Sequence, residues 1–159
     1  MSTNSHKISF FVPGHPKTAG SKKAISYQRR DGSQGTRVID TCAAGANWRE
    51  MVAITARPLF PTPLEGPLGV AVTFFMDRPK NHINKAGLKR TAPRYPMTRP
   101  DTTKMLRAAE DALTGIAWND DAQIVTQVAL KRFADRRSPG VFVEVYAFEF
   151  SEHTPEETK

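Results

Sequence analysis

The sequence predicts a single compact domain of the α+β class, with about five to six strands in a mixed sheet and two main helices packed on it. Its 159 residues fit one domain and are enough to bury a core. A hydrophobic fraction of 39% with nine Phe residues favours a globular fold, while twelve Pro and ten Gly predict several loops. Strand-like and helix-like patterns both occur along the chain, which gives the α+β class.

Six segments carry the β-branched, aromatic or alternating patterns that are typical of strands. They are residues 7–13, 24–28, 36–40, 68–76, 124–133 and 141–150. The pair Asp31 and Gly32 predicts a hairpin turn between the second and third segments. Residues 68–76 are the most apolar run and are expected to form the central strand. Residues 151–159 are expected to be a flexible tail, so that the folded domain spans residues 1–150.

Two segments place apolar residues at three-to-four spacing, as expected for amphipathic helices. They are residues 46–57 and 102–114. In the first helix, Trp48 is expected in the core, and a proline cluster beginning at Pro58 ends the helix. At the second helix, Asp101 occupies the cap position and Gly115 follows the last turn.

The charge of the chain favours a polyanionic partner such as nucleic acid, because the formal net charge is +7 and the pI is near 9.8. The positive charge is densest in the proline-punctuated loop of residues 78–99, and loops of this length are usually functional or mobile. The cations expected to contact DNA are Lys17, Lys22, Lys23, Arg29, Arg30, Lys80, Lys85, Lys89, Arg90, Arg99 and Lys104. For residues 17–23 a solvated loop is an equal alternative. For Arg29 and Arg30 the residues taken alone favour an ordinary surface hairpin.

Several functional classes lack support. The single cysteine, Cys42, excludes an internal disulfide framework and a cysteine-cluster metal site. Cys42 is therefore expected to have a packing role, and the protein is expected in a reducing, cytoplasmic setting. No apolar run approaches the roughly 20 residues that span a bilayer, and the polar start lacks the apolar region of a signal peptide. P-loop, H-E-x-x-H, G-x-S-x-G and C-x-x-C motifs are absent. His82 has no partner at metal-ligand spacing and is expected to face solvent.

Acidic residues flank the second predicted helix, with Asp101 before it and Asp120 and Asp121 in the turn after it. Mg2+ takes oxygen ligands, usually one or two carboxylates plus waters and substrate phosphate, and can activate water for phosphodiester hydrolysis. These acids form such a site if the chain doubles back, and Arg107 then offers a guanidinium fork to the phosphate. The alternatives are a helix cap at Asp101, a surface pair of Arg107 with Asp111, and a simple turn at Asp120 and Asp121.

The segment from Arg99 to Val125 resembles the core signature of the RusA family of Holliday junction resolvases, R-P-D-x-x-x-x-L-R-A-x-x-D-A-L-T-G-x-x-W-x-D-D-A-Q-[IV]. The likeness extends more loosely to the start of the chain. It implies a small homodimeric endonuclease with a mixed α/β fold that depends on Mg2+, or alternatively Mn2+, and nicks branched DNA symmetrically. It also implies an intracellular protein of bacterial, prophage or phage origin.

The resemblance assigns roles to individual residues. The family's catalytic acids fall on Asp101 and on Asp121, with Asp120 beside it, and its basic helical residue, usually Lys, falls on Arg107. Asp111 matches the acid of the D-A-L segment and is a further candidate ligand.

The chain departs from the family directly after Asp101. The family usually reads D-x-D-N there, whereas this chain has Thr103 in place of the second acid and Lys104 in place of the Asn. The change removes a carboxylate ligand and places an ammonium beside the metal, while Thr103 can still contribute its hydroxyl directly or through water. Glu110 or Asp111 compensates if the helix presents either to the metal. The rival hypotheses are a catalytically weakened branched-DNA-binding protein on the same fold, and a basic RNA-binding or structural protein.

Overall fold

The structure is a computed structural model that describes residues 7–18, 22–29, 31–40 and 43–148. The predicted tail, Arg30 and Cys42 lie outside these residues, as do the side chains of Lys22 and Lys23. No helix in the described ranges is long and apolar enough to cross a membrane.

Eight strands and two α-helices follow one another along the described chain. They are β1 (Lys7–Pro13), β2 (Lys22–Gln28), β3 (Gln34–Asp40), α1 (Ala43–Ala56), β4 (Leu68–Met76), β5 (Ile83–Asn84), β6 (Gly87–Leu88), α2 (Thr102–Leu113), β7 (Ile124–Phe133) and β8 (Gly140–Ala147). Single turns of 3-10 helix occur at Arg57–Leu59, Lys80–His82 and Asp121–Gln123. All six predicted strands and both predicted helices are therefore present, with bounds that differ by a few residues.

The main sheet has four strands in the order β1-β8-β4-β7, with β4 and β7 parallel and the other neighbours antiparallel. The predicted α+β class with a mixed sheet is confirmed. Of the six long strands, β2 and β3 pair only with each other, in a ribbon whose turn at Asp31 and Gly32 is the predicted hairpin. Ser26, Tyr27 and Gln28 of this ribbon are exposed, so this end of the ribbon has no apolar face with which to join the core.

Both helices pack toward the core through buried faces, and the core lies between them and one face of the main sheet. Alternate residues of β4, Val70, Val72 and Phe74, are buried there, as the two-residue period of a strand requires. Trp48 of α1 is buried with its ring centroid 6.5 Å from that of Phe74, which confirms its predicted place in the core. Leu113 of α2 is also fully buried.

The connection between the parallel strands β4 and β7 determines where the acids lie. The chain leaves β4 at Met76, makes the long loop, passes through α2 and enters β7 at Ile124. Because β4 and β7 run the same way, the chain must return from the end of β4 to the start of β7, and α2 makes this return: Asp101 shares a cavity with Met76, and Glu110 bonds Gln127 near the start of β7. The beginning of α2 therefore lies beside the end of β4, and the end of α2 lies beside the start of β7.

Candidate active site

A cavity of about 640 Å³ opens where β1, β4 and α2 meet. Its lining consists of His15, Pro16, Lys17, Thr18, Met76, Asp77, Arg99, Pro100, Asp101 and Lys104. Three of the predicted DNA-binding cations, Lys17, Arg99 and Lys104, thus share this cavity with the first predicted catalytic acid. Such a combination suits a phosphate group, which needs fixed cations close to the acid that acts on it.

Asp101 stands at the start of α2, but its side chain does not cap the helix. Its Oδ2 instead accepts from Lys104 Nζ at 3.0 Å. The helical spacing of three residues brings this ammonium to the carboxylate, so Asp101 makes an ion pair where a cap hydrogen bond was expected. Lys104 holds the pKa of Asp101 below its usual range, with smaller contributions in the same direction from Arg99 and Lys131.

His15 and Asp77 form a second charged group in the same cavity, with Nδ1 of His15 2.9 Å from Oδ2 of Asp77. This contact could not be predicted from the sequence, because the two residues follow different strands, β1 and β4. Their ends come together only because each strand pairs with β8 in the antiparallel direction. Both side chains are largely exposed, so they remain accessible to a ligand.

Asp120 and Asp121 lie at the other end of α2, and each has a definite structural contact. Asp120 caps the 3-10 turn by accepting from Ala122 N at 2.8 Å, in a reciprocal arrangement with Gln123. The Oδ1 of Asp121 accepts from Thr114 Oγ1 at 2.6 Å and from Trp118 Nε1 at 2.8 Å. Both acids therefore stabilise the turn that follows α2.

The middle of α2 presents Arg107 and Asp111 to solvent, and no ion pair joins them within the described part of the chain. Glu110 is half-buried and accepts from Nε2 of Gln127 on β7. Burial raises the pKa of Glu110, and the nearby charges of Asp121 and Asp111 raise it further. Glu110 therefore lies near Asp121 and the start of β7, at the other end of α2 from Asp101.

The length of α2 separates the two acidic groups. The helix has 12 residues and is therefore roughly 18 Å long at about 1.5 Å per residue, with Asp101 just before one end and the Thr114 that bonds Asp121 just after the other. Ligands of one Mg2+ all lie about 2 Å from the ion. Among the residues that the structure describes, no three His, Cys, Asp or Glu side chains are placed to hold a metal. The acids of a single copy of the chain therefore do not fit a shared Mg2+.

The remaining predicted cations are mostly on the surface. Arg29, Lys80, Lys85, Lys89 and Arg90 are exposed, and the last four belong to the loop between β4 and α2. The prediction that His82 of that loop faces solvent is wrong. Its ring packs edge-on against Phe133 with the ring centroids 5.8 Å apart, and its Nδ1 is buried with no hydrogen-bond partner among the described residues.

Fold and site together describe a basic α+β domain with a carboxylate and several cations around one cavity, as expected of a protein that acts on nucleic acid. The family model of endodeoxyribonuclease RusA matches residues 13–146, and the chain belongs to the RusA family. It is thus a crossover junction endodeoxyribonuclease, of a family whose members act on branched DNA and in general require divalent metal. No curated protein matches the chain.

Proposed function

We propose that this chain is a Mg2+-dependent Holliday junction resolvase, with Mn2+ as a substitute ion, that works as a homodimer. The family match over residues 13–146 carries this proposal, since it covers both acidic groups, both helices, strands β4 and β7 and nearly all of β8. Lys17, Arg99 and Lys104 are assigned to the DNA backbone at the cavity, and Arg107 to the scissile phosphate.

The distance along α2 supports a metal site shared between two copies. Because a helix roughly 18 Å long lies between Asp101 and the Thr114 that bonds Asp121, a metal that uses both acids must take them from different copies. In a two-fold dimer each contact occurs twice, so Asp101 of each copy meets the partner's Asp121. Asp120, Thr103 and, with less support, Asp111 are further candidate ligands, and two equivalent sites agree with symmetric nicking of a junction.

A mixed-dimer experiment tests this arrangement. Asp101→Asn and Asp121→Asn, each alone, are expected to abolish Mg2+-dependent nicking of a synthetic four-way junction. When the two variants are co-refolded, a mixed dimer has one site with both acids intact, and about a quarter of the wild-type sites should return. Each copy of the mixture carries a defect, so sites contained within one copy would leave it inactive.

Glu50→Gln provides the control, because Glu50 is an exposed acid on α1 that is not among the candidate ligands. An inactive mixture of folded, junction-binding variants would refute the shared site. A wild-type protein that fails to nick junctions with either metal would instead refute the nuclease proposal.

One observation favours a weakened enzyme as the second candidate. The Lys104 ammonium forms an ion pair with Asp101. A metal cation that binds the same carboxylate must either displace this ammonium or bind against its repulsion. With Thr103 in place of an acid, this predicts tight junction binding with slow or absent cleavage. Lys104→Asn, which restores the residue type usual in the family, should then increase cleavage at limiting Mg2+.

A further inference from the structure

The loop between β4 and α2 carries two exposed aliphatic side chains at its tip. Strands β5 and β6 form a two-stranded hairpin there, in which Ile83 is paired with Leu88. Directly opposed residues of an antiparallel pair project from the same face, so these two side chains form one apolar knob. They are 50% and 57% exposed, and burying such surface is favourable only against a partner.

The hairpin is held in shape by its own hydrogen bonds. Asn84 Oδ1 accepts from Ala86 N at 3.0 Å across the turn, and Gly87 adopts the positive φ of 108° that the turn requires. Lys89 N donates to His82 O at 3.0 Å and so extends the pairing below the tip. The knob is therefore presented by a defined turn.

The base of the loop is fixed to the body of the protein. Arg78, whose side chain is buried, donates to both carboxylate oxygens of Asp135 at 2.5 and 2.8 Å and to Pro93 O at 3.0 Å. Its guanidinium also lies 3.9 Å from the ring centroid of Phe133. These contacts tie the start and the later part of the loop to the end of β7, so the hairpin projects from a rigid base.

Both ends of this loop line the cavity that contains Asp101. Met76 and Asp77 lead into the loop and Arg99 and Pro100 lead out of it, and all four residues line the cavity. The loop that carries the hairpin thus begins and ends at the candidate active site.

The knob is surrounded by cations that suit a DNA partner. Lys80, Lys85, Lys89, Arg90 and Arg94 occupy the same loop and are all exposed. An apolar surface for another protein would not require this density of positive charge, whereas a DNA backbone would neutralise it. Proteins that kink DNA commonly insert Ile, Leu or similar side chains between base steps while cations hold the phosphates.

We propose that Ile83 and Leu88 form a wedge that enters the branch point of the junction and unstacks a base step next to the cleaved strand. The proposal rests on the proposed function, since it concerns the same DNA substrate. The wedge favours branched over linear DNA because bases at a branch are already less constrained, so unstacking them costs less than in a continuous duplex.

The test uses the full chain with Asp101→Asn, so that binding is measured without cleavage. A four-way junction with 2-aminopurine at the crossover is expected to brighten on binding. Ile83→Ser with Leu88→Ser should remove this rise and lower junction affinity by roughly tenfold, because two aliphatic contacts are lost. Affinity for linear duplex should change by less than about twofold, since phosphate contacts supply it.

Two matched variants separate the wedge from general effects. Met51→Ser with Ile54→Ser removes two similarly exposed aliphatic side chains from α1 and should leave the junction signal unchanged. Lys85→Gln removes a charge from the hairpin turn and should weaken junction and duplex binding alike.

Retention of the fluorescence rise in the Ile83 and Leu88 double variant would overturn the wedge, as would an equal loss of junction and duplex affinity. Absence of any rise in the parent protein would overturn it as well. Nicking of the same junction by the wild type is scored separately. Nicking without unstacking overturns the wedge alone, whereas unstacking without metal-dependent nicking supports the wedge and overturns the proposed function.

Discussion

Replacement of Asp121 should separate its structural contact from its proposed metal role. Its Oδ1 accepts from the indole Nε1 of Trp118, whose side chain is fully buried, and from the hydroxyl of Thr114. In Asp121→Ala the indole loses its acceptor. The Thr114 hydroxyl does not, because it can donate its single proton to Glu110 O, which lies at 2.9 Å.

The expected loss of stability is therefore that of one buried donor without a partner. Such a group costs about 1–3 kcal/mol in the free energy of unfolding. For a chain of 159 residues each kcal/mol lowers the Tm by about 2–4 °C, so a loss near the middle of that range lowers it by about 4–8 °C. Asp121→Asn keeps an acceptor oxygen and should lose no more than about 1 kcal/mol. Both variants should lose nicking activity.

Urea unfolding followed by tryptophan fluorescence and far-UV circular dichroism measures these differences. A chelator must be present, because a metal bound only to the folded protein would add to the wild-type stability. Asp111→Ala, at an exposed position of α2, should stay within about 0.5 kcal/mol of the wild type. Equal stability of Asp121→Ala and the wild type would refute the reasoning, and so would equal destabilisation by Ala and Asn.

Two further predictions follow from contacts at the ends of the long loop and of α2. Asp135→Asn should lower the free energy of unfolding by on the order of 1 kcal/mol at neutral pH, because Asp135 is partly exposed and loses its charge-assisted pairing with Arg78. Arg78 lowers the pKa of Asp135 below its reference value of 3.8, so the wild-type advantage is complete above that pH and disappears as the pH falls through the lowered pKa. Urea titrations at several pH values between neutral and strongly acidic conditions would measure it, and a difference independent of pH would contradict the ion-pair explanation. Thr103→Asp should lower the Mg2+ concentration needed for half-maximal nicking by restoring a carboxylate beside Asp101. Thr102→Asp adds the same charge to the first turn of α2 and controls for the helix dipole, so an equal effect of both variants would contradict a ligand role.

Local patterns determined most of the fold. Strands Lys7–Pro13, Leu68–Met76 and Ile124–Phe133 have the bounds that their apolar patterns predict, and α2 ends one residue before the predicted end. Apolar period, proline and glycine are properties of neighbouring residues, so they act in the same way whatever the rest of the chain does. The two short strands β5 and β6 were not predicted from the sequence. Strands of two residues are too short to show an alternating pattern, and their pairing depends on the turn between them and on contacts of the loop such as that of Arg78 with Pro93.

The sequence also identified the family and the candidate catalytic residues, because it contains the RusA signature. Only the tertiary structure decided how those residues are distributed. The parallel pairing of β4 with β7 makes α2 span the height of the sheet, which places Asp101 at one end of the helix and Asp121 at the other. A linear motif carries the order of its acids but not the direction in which the chain returns, and that direction is what places them at opposite ends of a helix roughly 18 Å long.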